Sequence, residues 1–406
     1  MKKMLLILLL GLIPMTGGAV EIEYWQYKYD ARVKAVDLLI KKFEKQNPEI
    51  NVKHVKFPYA QYRTKVAAAM AAQHGPDVLQ LYYGWVSDYH SAGLLQPLTD
   101  KYITAKEVDE QFYPIVQSMK YDGVYYALPT AVRTVGLFWN KKLFKKAGLT
   151  HPPKTLDELV EMSKKLTKRD KHGNLTQAGF AVDVAKQYHH WWREVLIRQM
   201  GGEPYTNNYQ QVNYNNEAGA KALEFLTDFI KTHKVTEPGF MDEGQAAFKS
   251  GRAAMYIDGL FRIPTFKKAR RLDWSVAELP SHNGIKSNVS SYWVNAVTQK
   301  AKGEKRDAAE KFIAFLSSEE AMQVWIDIVG ELPARTAAAQ KKENVEHELY
   351  GPFIQGLGYA HSTQFKSEAS QRQVLLNAFD RVILQGMPVK EALTQLADEE
   401  QKILNK

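Results

Sequence analysis

Apolar positions in the first third of the chain alternate between two rhythms. EIEYWQY (21–27) is dense in aromatic and β-branched side chains and predicts a strand. ARVKAVDLLIKKFEKQN then sets Val33, Val36, Ile40 and Phe43 at helical spacing and stops before Pro48. INVKHVKF predicts a second strand, QYRTKVAAAMAAQ a second helix, and PDVLQLYY a third strand after the Gly75-Pro76 break. Strand–helix–strand–helix–strand with short links predicts a parallel sheet with right-handed crossovers. Further on, DELVEMSKKLTKRD, EAGAKALEFLTDFIKTH, KRDAAEKFIAFLSS, SEEAMQVWIDIVG and VKEALTQLADEEQKIL carry one apolar face each. Ser317 and Glu320 stand at capping-box spacing, and Gly330 predicts a helix stop. Internal repeats and Pro/Gly-rich linkers are absent, so the pattern predicts two α/β lobes without a loose tether.

The N-terminus reads differently. MKKMLLILLLGLIPMTGGAVEIEYW opens on Lys2 and Lys3, runs apolar from Met4 to Met15, and turns to small residues. This predicts a secretory signal over 1–19, cleaved after Ala19 with Gly17 at the −3 position. The run is shorter than the roughly 20 residues that span a bilayer. With no cysteine in the chain, lipid attachment at an N-terminal cysteine, disulfides and thiolate metal sites are all excluded. The expected product is a free periplasmic protein.

A net charge of +9 raises nucleic acid as a partner. Lysines alternate with acids along the helices, however, and no nucleic-acid motif is present, so the charge predicts solvated faces. Equally, there is no G-x-S-x-G elbow, phosphate-cradling glycine loop or H-E-x-x-H, and neither catalytic residues nor a cofactor are expected. His189 and His190, adjacent on a helix, point about 100° apart and make a poor metal chelate.

What the chain does hold is aromatic residues at strand ends. The third strand runs into Tyr82, Tyr83, Gly84 and Trp85; the first ends in Trp25, Tyr27, Tyr29 and Asp30. Ligands of doubly wound sheets bind at the carboxyl ends of strands. Aromatic faces suit the C–H faces of a sugar, while charged and amide groups take its hydroxyls; packing in the core or rim is the alternative for each ring. In QYHHWWREVL (187–196) helical geometry sets Trp192, Val195, Leu196 and Gln199 on one face and Trp191 with Glu194 and Arg198 on another. That predicts Trp192 as core and Trp191 as a stacking platform.

QHGPDVLQLYYGWVSDYHSAGLLQPL, YDGVYYALPTAVRTVGLFWNKKLFKKAGL, AAFKSGRAAMYIDGLF and AAEKFIAFLSSEEAMQVWIDIVGELPAR together resemble, in order, the family 1 extracellular solute-binding proteins, the group that includes maltodextrin-binding protein. The resemblance implies a two-lobe, type II-like periplasmic-binding fold, each lobe a mainly parallel sheet flanked by helices. It implies three hinge crossings, near Leu128–Ala131, Val289–Ser291 and Gly330–Ala334. The lobes would be 20–129 plus 290–331 and 130–289 plus 332–406. The implied function is capture of a mono- or oligosaccharide by a monomer that delivers it to the membrane permease of an ABC-type importer. Besides Trp25, Tyr29 and Asp30, the implied ligand positions are Tyr82, Tyr83, Trp85, Arg133, His190, Trp191, Asp258, Phe261, Trp293 and Arg335. The chain departs from the pattern in three places. Ser291-Tyr292 replaces a glycine pair before Trp293, Arg133 stands where maltodextrin binders have an acid, and Gly84-Trp85 stand where they have an acid and a base. These departures turn the expectation from maltodextrin toward an acidic sugar or a different hydroxyl pattern. A glycerophosphodiester or polyamine binder on the same fold, and a secreted carbohydrate-cleaving enzyme, are the alternatives.

Overall fold

A computed structural model describes residues 18–206 and 208–406; most of the expected leader, 1–19, lies outside them. Strand β1 (Val20–Lys28), helix α1 (Asp30–Gln46), strand β2 (Ile50–Pro58), helix α2 (Tyr59–Ala71) and strand β3 (Val78–Tyr82) follow one another as the periodicity predicts. β1 pairs in parallel with β2 and with β3. α1 buries Ala35, Val36, Leu39, Ile40 and Phe43, and Phe43 meets Phe312 edge-on at 5.0 Å.

Two long strands join this unit to the rest of the chain. Ala127–Asn140 and Asn288–Val297 pair antiparallel over Ala127–Thr134 and Ser290–Ala296. Asn288–Val297 also pairs with β3, placing Trp293 opposite Tyr82. The short strand Leu332–Pro333 lies against Val132 and Ala131, so all three expected crossings run side by side in one ribbon. Beyond it, Met255–Gly259 and Trp274–Ala277 pair antiparallel with Ala127–Asn140. The parallel order read from β1, β2 and β3 therefore does not extend across the sheet: parallel pairing on this side is limited to Asn288 and Val289 with Ala360 and His361 and to single bridges such as Ala178–Ala253 and Ala181–Tyr256. Phe138, Phe248, Phe266, Trp274 and Phe353 pack around one another in this half.

Two local readings shift. Ser318, not Ser317, caps the helix Glu319–Val329, accepting from Ala321 N at 3.2 Å; Ser317 is taken up in closing the preceding helix, its N–H bonded to Ile313 O. Gly330 does end the helix, at φ 77° and ψ 24°, a left-handed conformation that glycine adopts at little cost. The segment 184–199 is helical, but 184–188 and 191–196 are wound as π-helix.

Candidate binding cleft

The first three strands end at one edge, and their last residues face one another across Trp293. Its ring lies 4.3 Å from Tyr27, 5.4 Å from Trp85, 5.8 Å from Tyr82, 6.2 Å from Tyr62 and 6.4 Å from Tyr59. Tyr27 closes β1, Tyr59 follows β2 and Tyr82 closes β3, so the cluster is the carboxyl edge of the parallel strands seen in side chains. Tyr59 is 63% exposed and Trp293 7%; the cluster thus grades from a buried hub to a wet rim. Tyr29 and Asp30, exposed at the start of α1, belong to that rim. Trp25 sits one pleat below, against Phe57 at 4.8 Å, and its carbonyl accepts from Tyr62 Oη at 3.1 Å.

Strand alternation decides the next pair. Side chains of successive residues leave a strand on opposite faces. Trp293 takes the cleft face and its strand neighbour Tyr292 the reverse; Tyr83, which opens the tight turn after β3, lies 4.9 Å from Tyr82 and stacks on Tyr292 at 5.0 Å. Tyr292 donates its hydroxyl to Ile115 O there. Tyr83, 2% exposed, is therefore corrected from ligand wall to core behind the ribbon.

The second half supplies Phe261, Arg262, Arg133 and His190. The guanidinium groups of Arg133 and Arg262 each lie 5.3 Å from the centre of the Phe261 ring. A Cβ on Gly259 would stand 2.1 Å from the Phe261 ring, so only glycine lets the ring fold back over its own strand. Asp258, fully buried, does not reach the cleft as expected. It accepts from Tyr256 Oη at 2.9 Å, Gly259 N at 2.7 Å and Arg262 Nε at 2.7 Å, and so orients Arg262. Burial raises its pKa, with Arg262 opposing. His190 Nε2 is 3.5 Å from Tyr82 Oη, a polar link from this helix to the aromatic hub.

Two further expectations are corrected. Trp191 is 0% exposed, as is Trp192; Phe180, Tyr188 and Phe225 surround its ring edge-on. No platform is offered, because the π-helical turn is wider than the α-turn on which its facing was reckoned and protein covers both faces. Arg335 is spent elsewhere: its guanidinium reaches Glu107 at 2.8 Å, Ser317 O at 2.8 Å and Gln111, and lies over the Phe112 ring.

The sequence reading missed Arg32 and Glu331. Glu331 follows Gly330 at the third crossing and is 4% exposed. It binds Arg32 Nη2 through Oε1, accepts from Trp325 Nε1 at 2.9 Å through Oε2, and stands 3.6 Å from Arg133 Nε. Burial pushes its pKa up, but Arg32 and then Arg133 bring it below the ordinary carboxylate value. The arginine-rich floor was visible only as Arg133, since Glu331 and Arg32 are 299 residues apart.

Burial, reinforced by Arg193 and Arg372, pushes His190 down to about 3, and His189 falls well below its ordinary value. Their rings lie 3.8 Å apart, and among the described residues no group of three or more His, Asp or Glu could hold a metal. The histidines make a pH prediction. Unfolded, both take up a proton near pH 6.5; folded, neither does until far lower. The unfolded state binds more protons, so stability rises with pH up to about 6.5 and falls on acidification below it. Each contributes up to about 1.4 kcal/mol per pH unit. Urea midpoints at pH 6.5 and 5, before carboxylates titrate, measure it; equal midpoints would count against buried neutral histidines.

The model of the bacterial extracellular solute-binding proteins matches residues 39–349. The maltotriose-binding protein of Pyrococcus abyssi is 25% identical over 354 residues, 84% of this chain and 72% of that protein. The sn-glycerol-3-phosphate-binding periplasmic protein of Salmonella typhimurium is 25% identical over 351 residues, 80% of this chain and 77% of that protein. Among solved structures, an ABC substrate-binding protein of Listeria monocytogenes in complex with cycloalternan superposes with a TM-score of 0.79 at 25% identity, covering 95% of this chain and 99% of that one.

Proposed function

This chain belongs to the bacterial extracellular solute-binding protein family, and from that premise we propose that it captures a mono- or oligosaccharide between two lobes and delivers it to the permease of an ABC-type importer. The observation that carries the reading is the Trp293 hub. Several rings converge on the carboxyl edge of three strands, with arginines beside them, which is the chemistry a pyranose asks for: flat apolar faces and planar donors. The maltotriose-binding relative and the cycloalternan complex support it. The lobes are 20–129 plus 290–331 and 130–289 plus 332–406, hinged at the three-strand ribbon. The protein works as a monomer and without catalysis. Residues 1–19 are a leader, removed to leave Val20 unlipidated at the new N-terminus, which the intact mass of the exported protein reads directly.

A saccharide panel in thermal unfolding tests the ligand class, since a ligand that binds only the folded state raises the melting temperature. One or more saccharides should do so. Trp293→Ala should weaken the same saccharide by about 2 kcal/mol or more, as loss of a buried aromatic anchor does. The sn-glycerol-3-phosphate-binding relative favours a second reading, a glycerophosphodiester ligand. A melting shift with that compound and none with any sugar would select it.

A further inference from the structure

The arginines around the cleft pair off with acids, except that two share one carboxylate. Glu331 holds Arg32 and Asp258 holds Arg262. Arg372 Nε lies 3.8 Å from Glu368, and Arg63 Nη2 lies 3.8 Å from Asp88 while its guanidinium covers Trp85. Arg133 shares Glu331 with Arg32, so the three groups together carry one net positive charge. The carboxylate nearest it, Glu331, is 3.6 Å from its Nε, outside hydrogen-bond reach, and both oxygens of that carboxylate are already engaged by Arg32 and Trp325. Arg133 Nε is buried without a hydrogen-bond partner, although the side chain is only 12% exposed. Asp30, at the exposed rim, pairs with none of these arginines among the described residues.

A mostly buried guanidinium that shares its counter-charge and leaves Nε without a hydrogen-bond partner is costly to keep. From this cluster we infer that the ligand brings the missing charge: the saccharide carries a carboxylate, a uronate, that seats on Arg133. The inference rests on the saccharide reading above and names its class. The Arg133 guanidinium carbon lies 5.3 Å from the Phe261 ring centre, and a carboxylate meets the N–H edge of a guanidinium with two parallel hydrogen bonds. A single net positive charge matches the single charge of a carboxylate better than the charge of −1.5 to −2, roughly, of a phosphate monoester. The aromatic hub on Trp293 then takes the ring of the same sugar.

Calorimetric titration of the full exported chain with oligogalacturonates, oligoglucuronates and the neutral oligosaccharides of matching linkage tests this, with sn-glycerol 3-phosphate as the phosphate probe. A uronate should bind at least about tenfold more tightly than its neutral counterpart, the scale of one charged hydrogen-bonded contact. Arg133→Gln should erase that gap, and Arg133→Lys, which keeps the charge but not the fork, should restore part of it. Melting curves identify a misfolded variant, in which case the wild-type preference and its weakening by salt decide. Equal or tighter binding of the neutral sugars overturns the inference and leaves the saccharide reading standing, and a preference for the phosphate ester overturns it too. Binding of no saccharide, acidic or neutral, overturns both.

Discussion

Trp191→Ala should destabilise the protein by roughly 3–5 kcal/mol, the usual cost of deleting a large aromatic side chain from a packed core. The ring is wholly buried and sits among Phe180 at 5.8 Å, Tyr188 at 5.7 Å and Phe225 at 6.2 Å. No neighbour can close the void without moving another ring. Its Nε1 has no hydrogen-bond partner, so Trp191→Phe, which removes that buried donor and keeps most of the packing, should cost far less. Chemical denaturation of both variants reads the stabilities, and saccharide titration of the folded protein should give wild-type affinity. A Trp191→Ala protein that melts normally but fails to bind would return the indole to the cleft.

The second large effect belongs to Glu331. Glu331→Gln keeps an acceptor for Trp325 but removes the charge that neutralises Arg32, which is itself 3% exposed. Stranding a buried guanidinium costs about 3–5 kcal/mol. Replacing both partners, as Arg32→Met with Glu331→Leu, should recover much of the loss, because an apolar pair needs no counter-charge. The sign with pH follows from the lowered folded pKa of Glu331. Its stabilisation is fully present above the unfolded value near 4.3 and is lost as pH falls through the lower folded one. The difference between wild type and Glu331→Gln should therefore shrink in strong acid. A difference that stayed constant with pH would mean that the carboxylate is not ionised in the folded protein.

Why the second reading was harder than the first is a matter of distance and winding. β1, α1, β2, α2 and β3 were legible because each element's periodicity and its turn residues lie within the element. The aromatic rim was legible for the same reason: Tyr82 and Trp85 follow directly on the apolar run of β3, and Tyr59, which was overlooked, follows β2 by the same rule. Tyr83 is core because β3 ends at Tyr82 and the tight turn after it lays the Tyr83 ring on Tyr292, a contact between residues far apart in sequence. Trp191 was misplaced because an α-helical wheel was applied to a π-helical turn, for which the sequence offered no signal. Arg335 looked free because its partners, Glu107, Gln111 and Ser317, are brought to it only by the fold.

The charge balance at the cleft floor is likewise a tertiary property. Arg32, Arg133 and Glu331 come from α1, the first crossing strand and the end of a late helix, so no window of sequence holds all three. The resemblance to maltodextrin binders, which implies an acid at this place, marks Arg133 as a departure; the structure adds that it shares Glu331 with Arg32.

Small-angle scattering with and without a saccharide that raises the melting temperature reads hinge closure about the three-strand ribbon. Closing the lobes over a sugar held between the Trp293 hub and Phe261 should reduce the radius of gyration, as hinge closure around a ligand does. A radius unchanged at saturating saccharide would contradict capture between two lobes.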